Sequence, residues 1–166
     1  MQLQSKNVAE CGVLTALALI LSYVESLIPF CFGVPGMKLG LTNIVIVFAL
    51  YSLPWQETMM INIMRILLAG FLFGNFYSIA YSLAGGILSF CIMMLLKHTE
   101  KFSCMGVSVG GGISHNAGQL IVACIAVKNY NVALYMPALT AAGAVTGALI
   151  GVTSIQILRL MKRSSI

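Results

Sequence analysis

Long apolar runs, broken by short clusters of glycine, proline and asparagine, set the pattern of this chain. Runs of this length read as membrane-crossing helices. The first extends from Val8 to about Pro29, with Asn7 at its N-cap position. Cys31 to Lys38, with Gly33, Pro35 and Gly36, reads as a loop. Leu39 to Leu53 is a second, shorter span stopped by Pro54. Trp55 then falls at the expected membrane interface, where an amphipathic ring belongs. Gln56 to Phe73 is the third span, and Gly74-Asn75 makes a very tight connection to the fourth, Phe76 to Leu96. Lys97 to about Met105 is a polar loop before the fifth span, Val107 to Val127. After Lys128-Asn129-Tyr130-Asn131 the sixth runs from Val132 to Met161, with Pro137 expected either to kink it or to start it. The pattern predicts an all-α membrane protein, a single domain over residues 1–166 built as one bundle of about six transmembrane helices.

Composition strengthens that picture. The chain is 60% hydrophobic and 8% charged, where a soluble domain has roughly 25% charged residues. Its mean hydropathy is +0.99. Lys6 ahead of an apolar run imitates a signal peptide. The run contains Glu25, lacks a small-residue cleavage pattern and precedes further spans, so it reads as a retained first helix.

The net charge of +5 does not point to nucleic acid, because the basic residues gather at helix ends rather than on an aromatic-interleaved surface. Their placement instead orients the chain. With the N-terminus inside, the inner segments hold Lys6, Lys97, Lys101, Arg159, Lys162 and Arg163, and the outer loops hold Lys38 and Lys128. This asymmetry favours an N-in/C-in protein of the cytoplasmic membrane, with the lipid bilayer as its surroundings. Cys11, Cys31, Cys91, Cys104 and Cys124 have no C-x-x-C spacing and read as small apolar residues, with no metal site.

One span breaks the apolar rule. Gly110-Gly111-Gly112-Ile113-Ser114-His115-Asn116-Ala117-Gly118-Gln119 carries an imidazole and two carboxamides at membrane depth. Such groups are costly in lipid and normally face a bundle interior or a cavity. At 100° per residue, Ser108, Gly111, Gly112, His115, Gln119 and Ala126 share one face, with Ile113, Leu120 and Cys124 on the other. Asn116 lies at the edge of the polar face, toward a neighbouring helix. The group either joins helices by hydrogen bonds and close packing or contacts a small-molecule substrate.

Arg65 is the second signal. It shares a face of the third span with Thr58, Asn62 and Ala69. Always charged, it needs an anionic ligand or a partner, and Glu25 is the carboxylate buried in a span. A third group should gather at the outer end: Lys38, Asn43, Asn75, Tyr77, Tyr81, Asn129, Tyr130 and Tyr135. Some of these tyrosines fit an interfacial belt; together with a Gly/Pro loop the group looks like a gated mouth. Small-residue spacings recur at Gly143-x3-Gly147-x3-Gly151, Ala144-x3-Ala148, Gly70-x3-Gly74 and Gly12-x3-Ala16, and let helices approach closely.

Catalytic and nucleotide motifs are missing: no Walker loop, no G-x-S-x-G, no H-E-x-x-H and no dinucleotide fingerprint. The chain contains no Asp, and its carboxylates are Glu10, Glu25, Glu57 and Glu100. Prenyl transfer needs carboxylates to hold magnesium on diphosphate. The expectation is therefore a non-enzymatic protein without a cofactor, whose energy source is a partner or an ion gradient.

Several stretches resemble a known family. Met37-Lys38-Leu39-Gly40-Leu41-Thr42-Asn43, Gly74-Asn75-Phe76-Tyr77-Ser78, Tyr81-Ser82-Leu83-Ala84-Gly85-Gly86 and His115-Asn116-Ala117-Gly118-Gln119 are similar to the Gx transporter family, often labelled heptaprenyl diphosphate synthase component I. The resemblance covers nearly the whole chain. Through size, helix number and topology that family looks similar to the substrate-binding S components of energy-coupling factor (ECF) transporters. The resemblance implies a six-helix S-component-like fold that binds a small vitamin-like or isoprenoid- or quinone-related molecule toward its outer half, under the loop after the first helix. It implies a transmembrane coupling protein and a cytoplasmic ATPase pair as partners. S components commonly dock the coupling protein through an A-x-x-x-A patch on the first helix, matched here by Gly12 and Ala16. On this reading Arg65, His115, Asn116 and Gln119 contact the substrate, and Lys38, Asn43, Asn75 and Tyr81 line the approach to it. The alternative is a non-catalytic membrane subunit of a prenyl diphosphate synthase or of a flavin- and quinone-linked extracellular electron-transfer assembly, which family members also resemble.

Overall fold

The computed structural model describes residues 2–27 and 40–164. It is 90% helical, with no strand among the described residues. The helices are α1 (Gln2–Leu27), α2 (Asn43–Ser52), α3 (Trp55–Phe73), α4 (Phe76–His98), α5 (Cys104–Val127) and α6 (Met136–Ser164), with a 3-10 turn at Tyr130–Tyr135. They form an all-α bundle of membrane type, as the apolar pattern predicts.

The boundaries follow local chemistry. Asn75 accepts the Ser78 N–H at 2.9 Å and caps α4, and Ser103 accepts the Gly106 N–H at 3.2 Å and caps α5. Lys128 ends α5 in the left-handed region, at φ 51° and ψ 32°. Pro54 separates α2 from α3, since its ring cannot continue a helix. Pro137 lies in the first turn of α6, so it starts that helix rather than kinking it. Asn7, expected as a cap, is inside α1, which begins at Gln2. His98, expected in a loop, closes α4.

Four segments are long and apolar enough to cross a membrane: Val8–Leu27, Trp55–Phe73, Phe76–His98 and Tyr130–Met161. α5 has the length, at 24 residues, but its serines, carboxamides, imidazole and glycines keep it out of that set. α2 has 10 residues, a rise of about 15 Å, roughly half the thickness of the hydrocarbon core. Instead of facing lipid it is a core element: Val45, Ile46, Val47, Ala49 and Leu50 are all buried. Ile46, Val47, Ala49 and Leu50 pack with Cys11, Ile61, Phe90, Met93, Val107 and Ile150.

The outside of the bundle is apolar, as a lipid-facing surface must be. Val13, Leu17, Ile20, Phe71, Leu72, Ile121, Ile125, Val145 and Leu149 are all exposed.

α5 is the centre of the second half and packs between α4 and α6. Glycine makes both contacts close. A Cβ on Gly118 would come within 2.7 Å of the Ala84 carbonyl oxygen, and one on Gly143 within 2.7 Å of the Gly112 carbonyl oxygen. Ser108 Oγ adds a hydrogen bond to the Gly147 carbonyl at 2.7 Å. Two buried flanks explain why the face assignment differs in part. Leu120, placed by periodicity opposite the polar face, is buried. The exposed stripe is narrower and runs through Ile121 and Ile125.

Candidate functional site

A set of polar residues from five of the helices and the turn into α2 gathers at one end of the bundle. α1 and α3 terminate there and α4 begins there. Between these elements lies a cavity of about 90 Å³. α1 contributes Ser22, Glu25 and Ser26; the turn into α2 contributes Gly40, Thr42 and Asn43; α3 contributes Arg65, Ile66, Ala69, Gly70 and Phe73. Gly74 precedes α4, which adds Ser78 and Ser82; α5 adds Gly112, His115, Asn116 and Gln119, and α6 adds Thr146 and Ile150.

Arg65 is 8% exposed. Its guanidinium donates from Nε and Nη2 to Asn62 Oδ1, at 3.1 and 2.9 Å, and from Nη2 to Asn43 Oδ1 at 3.0 Å. Asn62 is held in turn, because its Nδ2 donates to the Gly86 carbonyl at 3.1 Å. A chain of hydrogen bonds thus runs from α4 through Asn62 to Arg65 and on to the start of α2. Both oxygens that meet the cation are neutral.

The carboxylate of the same cavity is Glu25. Glu25 accepts the Gly40 N–H and, at 3.4 Å, the Thr42 hydroxyl. Thr42 is also 3.0 Å from the Ser22 hydroxyl. Among the described residues no ion pair joins Glu25 to Arg65; both charges border the same cavity, and the carboxylate acts on the guanidinium through its field.

The α5 wall is set by small residues on its neighbours. Gly85 of α4 leaves room for His115 and Gln119: a Cβ there would come within 2.8 Å of the His115 carbonyl oxygen and 2.9 Å of the Gln119 Cγ. Gly86, next to it, leaves room for Ile66 and Asn62. The Gly85-Gly86 pair therefore seats the α5 polar residues and the Arg65 support at once. Asn116 Nδ2 donates to the Leu139 carbonyl at 2.8 Å, so this side chain also ties α5 to α6.

The residues singled out from sequence divide clearly. Asn43, Arg65, His115, Asn116 and Gln119 all line the cavity. Asn75 does not; its side chain caps α4. Tyr81 is half-buried and away from the lining. Lys38 lies outside the described residues. Tyr77 and Tyr130 are exposed, at 69% and 87%, which suits an interfacial belt better than a mouth.

Ser22, Ser26, Thr42, Ser78, Ser82 and Thr146 were not expected from sequence, and Glu25 was expected only as an Arg65 partner. A signal for the first helix exists: Ser22, Glu25 and Ser26 stand at i, i+3 and i+4, one helical face in an otherwise apolar run.

Gly12 and Ala16 lie elsewhere, both exposed. They line an outward-open groove with Cys11, Thr15 and Leu19 of α1 and Glu57, Met60 and Met64 of α3. A Cβ on Gly12 would meet nothing within 4 Å. Among the described residues no three His, Cys, Asp or Glu side chains come together as metal donors.

The sequence model of a family described as "Heptaprenyl diphosphate synthase component I" matches residues 14–157. No curated protein and no solved structure matches the chain.

Proposed function

The chain belongs to the heptaprenyl diphosphate synthase component I family, and on that premise we propose that it is a substrate-binding membrane subunit, similar to the S component of an energy-coupling factor uptake transporter. Its substrate is a small vitamin-like or isoprenoid- or quinone-related molecule. The observation that carries this reading is convergence: polar side chains from otherwise apolar helices line a single cavity, and the sequence carries no catalytic motif beside them. Polar groups placed at this depth mark substrate pathways by default. The cavity is smaller than the roughly 300 Å³ at which drug-sized sites begin. In this conformation it takes the polar head of such a molecule.

The mechanism is binding rather than chemistry. Arg65, His115, Asn116 and Gln119 present donors and acceptors to the substrate. The chain orients N-in/C-in in the cell membrane, with the cavity toward the outside. A transmembrane coupling protein docks on the groove around Gly12 and Ala16, and a cytoplasmic ATPase pair supplies the energy. The open space at Gly12 supports a flat docking face there.

A second reading takes the family description at its word: a non-catalytic membrane component that assembles with a prenyl diphosphate synthase. The absence of Asp from the chain is compatible with a companion subunit. Affinity purification of the tagged chain from its native membranes separates the readings. Capture of a coupling protein with its ATPases supports transport. Capture of a soluble prenyl synthase whose activity rises on addition of the chain supports the second reading and removes the first. Capture of a flavin- or quinone-linked redox membrane protein removes both.

A further inference from the structure

We propose that the cavity holds a bipolar ligand, with a carboxylate or phosphate oxyanion on Arg65 Nη1 and an N–H or O–H donor of the same molecule on Glu25. This rests on the reading of the cavity as a substrate site. It adds the chemical class.

A guanidinium carries five N–H groups in a fixed plane. In Arg65, Asn62 Oδ1 covers the Nε and Nη2 edge, and the other Nη2 donor goes to Asn43. Among the described residues no hydrogen bond engages Nη1. The side chain is more than nine-tenths buried and lines the cavity. Two neutral carboxamide oxygens hold the group in place without cancelling its charge. The Glu25 carboxylate acts on this cation through its field, but no anion is hydrogen-bonded to it among the described residues, and a cation without a direct counter-charge at membrane depth is disfavoured. An oxyanion in the cavity meets the remaining N–H pair and neutralises the charge, the geometry for which Arg is suited.

The second pole follows from Glu25. An ionised carboxylate has about four acceptor positions. The Gly40 N–H and the Thr42 hydroxyl use two of them. Glu25 would repel a simple anion, so the site discriminates: a ligand that is only anionic gains at Arg65 and loses at Glu25. One that adds a donor or positive group gains at both. Ser22, Ser82 and Gln119 supply further neutral partners between the poles.

The test is thermal stability of the full-length chain in neutral detergent, titrated separately with glycine, acetate, inorganic phosphate and acetamide. In wild type, glycine is expected to stabilise at lower concentration than acetate or phosphate, and acetamide to have no effect. In Glu25→Gln the acetate response should tighten about fivefold and the advantage of glycine over acetate should vanish. Arg65 variants can fail to fold, so Asn43→Asp is the companion: it places a carboxylate against the guanidinium and should abolish the acetate and phosphate responses in a chain that still unfolds cooperatively.

Equal responses to acetate and acetamide, or no response to any anion in wild type, overturn the proposal. So does an unchanged probe order in Glu25→Gln. Repeating the acetate titration in phosphatidylglycerol and phosphatidylcholine nanodiscs identifies the source. Loss of the response only with phosphatidylglycerol shows that a lipid headgroup supplies the oxyanion. A neutral molecule that co-purifies in the cavity leaves the substrate-binding reading standing and removes the oxyanion. An acetate response in a chain that captures no coupling protein does the reverse.

Discussion

α5 and α1 are both long helices, yet they are held in opposite ways. α5 is clamped on two flanks, with glycines bringing its backbone against Ala84 on one side and Gly143 on the other. Among the described side chains of α1, Cys11 and Ala18 are the fully buried apolar ones, and an open groove separates part of it from α3. Both helices contribute polar groups to the same cavity. The site therefore has a fixed wall and a lightly held wall. His115, Asn116 and Gln119 are positioned by backbone-to-backbone packing, which leaves little room for adjustment. Ser22 and Glu25 are positioned by hydrogen bonds to the turn before α2.

Substitutions at the clamp should have the largest effect. Gly112→Ala puts a Cβ against the Gly143 carbonyl, where backbone rather than a flexible side chain must yield. A loss of about 1–3 kcal/mol is expected, read as a fall in thermal midpoint. Asn62→Ala should come next. It removes the acceptor of two Arg65 donors and leaves them buried, at about 1–3 kcal/mol, and the loss should be partly rescued by an added oxyanion. Asn116→Ala removes the single bond to Leu139, for about 0.6 kcal/mol, typical of an interhelical hydrogen bond in membranes. Gly12→Ala should leave the midpoint within about 0.5 kcal/mol, because its Cβ meets open space. Its effect should appear only in the yield of co-purified partner. A Gly12→Ala loss as large as that of Gly112→Ala would erase the distinction between the two walls.

Much of this arrangement was legible in the chain. Helical periodicity put His115, Gln119 and Gly112 on one face, and the cavity collects all three. Pro54 and Gly74-Asn75 mark helix ends because a proline ring, a glycine and a capping side chain act locally. What escaped is what depends on neighbours. α2 is apolar all round, and such a helix reads the same whether it faces lipid or is wrapped by other helices. Only packing shows that it is a buried plug whose N-cap Thr42 and first residue Asn43 meet Glu25 and Arg65. Leu120 lies opposite the polar face by periodicity yet is buried, because a one-dimensional pattern carries no count of flanks. An asparagine before a run of helix reads the same whether it meets a ligand or caps the helix, and the Asn75 side chain caps α4.

The Gly85-Gly86 pair links the two regions, since one glycine seats the α5 wall and the other seats the support of Arg65. The most direct measurement is native mass spectrometry of the chain released from membranes, wild type beside Gly85→Ala and His115→Ala. The account predicts that wild type carries a bound small molecule and that both variants lose it while remaining folded. A wild-type chain that is consistently empty, or variants that keep the same bound mass, would contradict it.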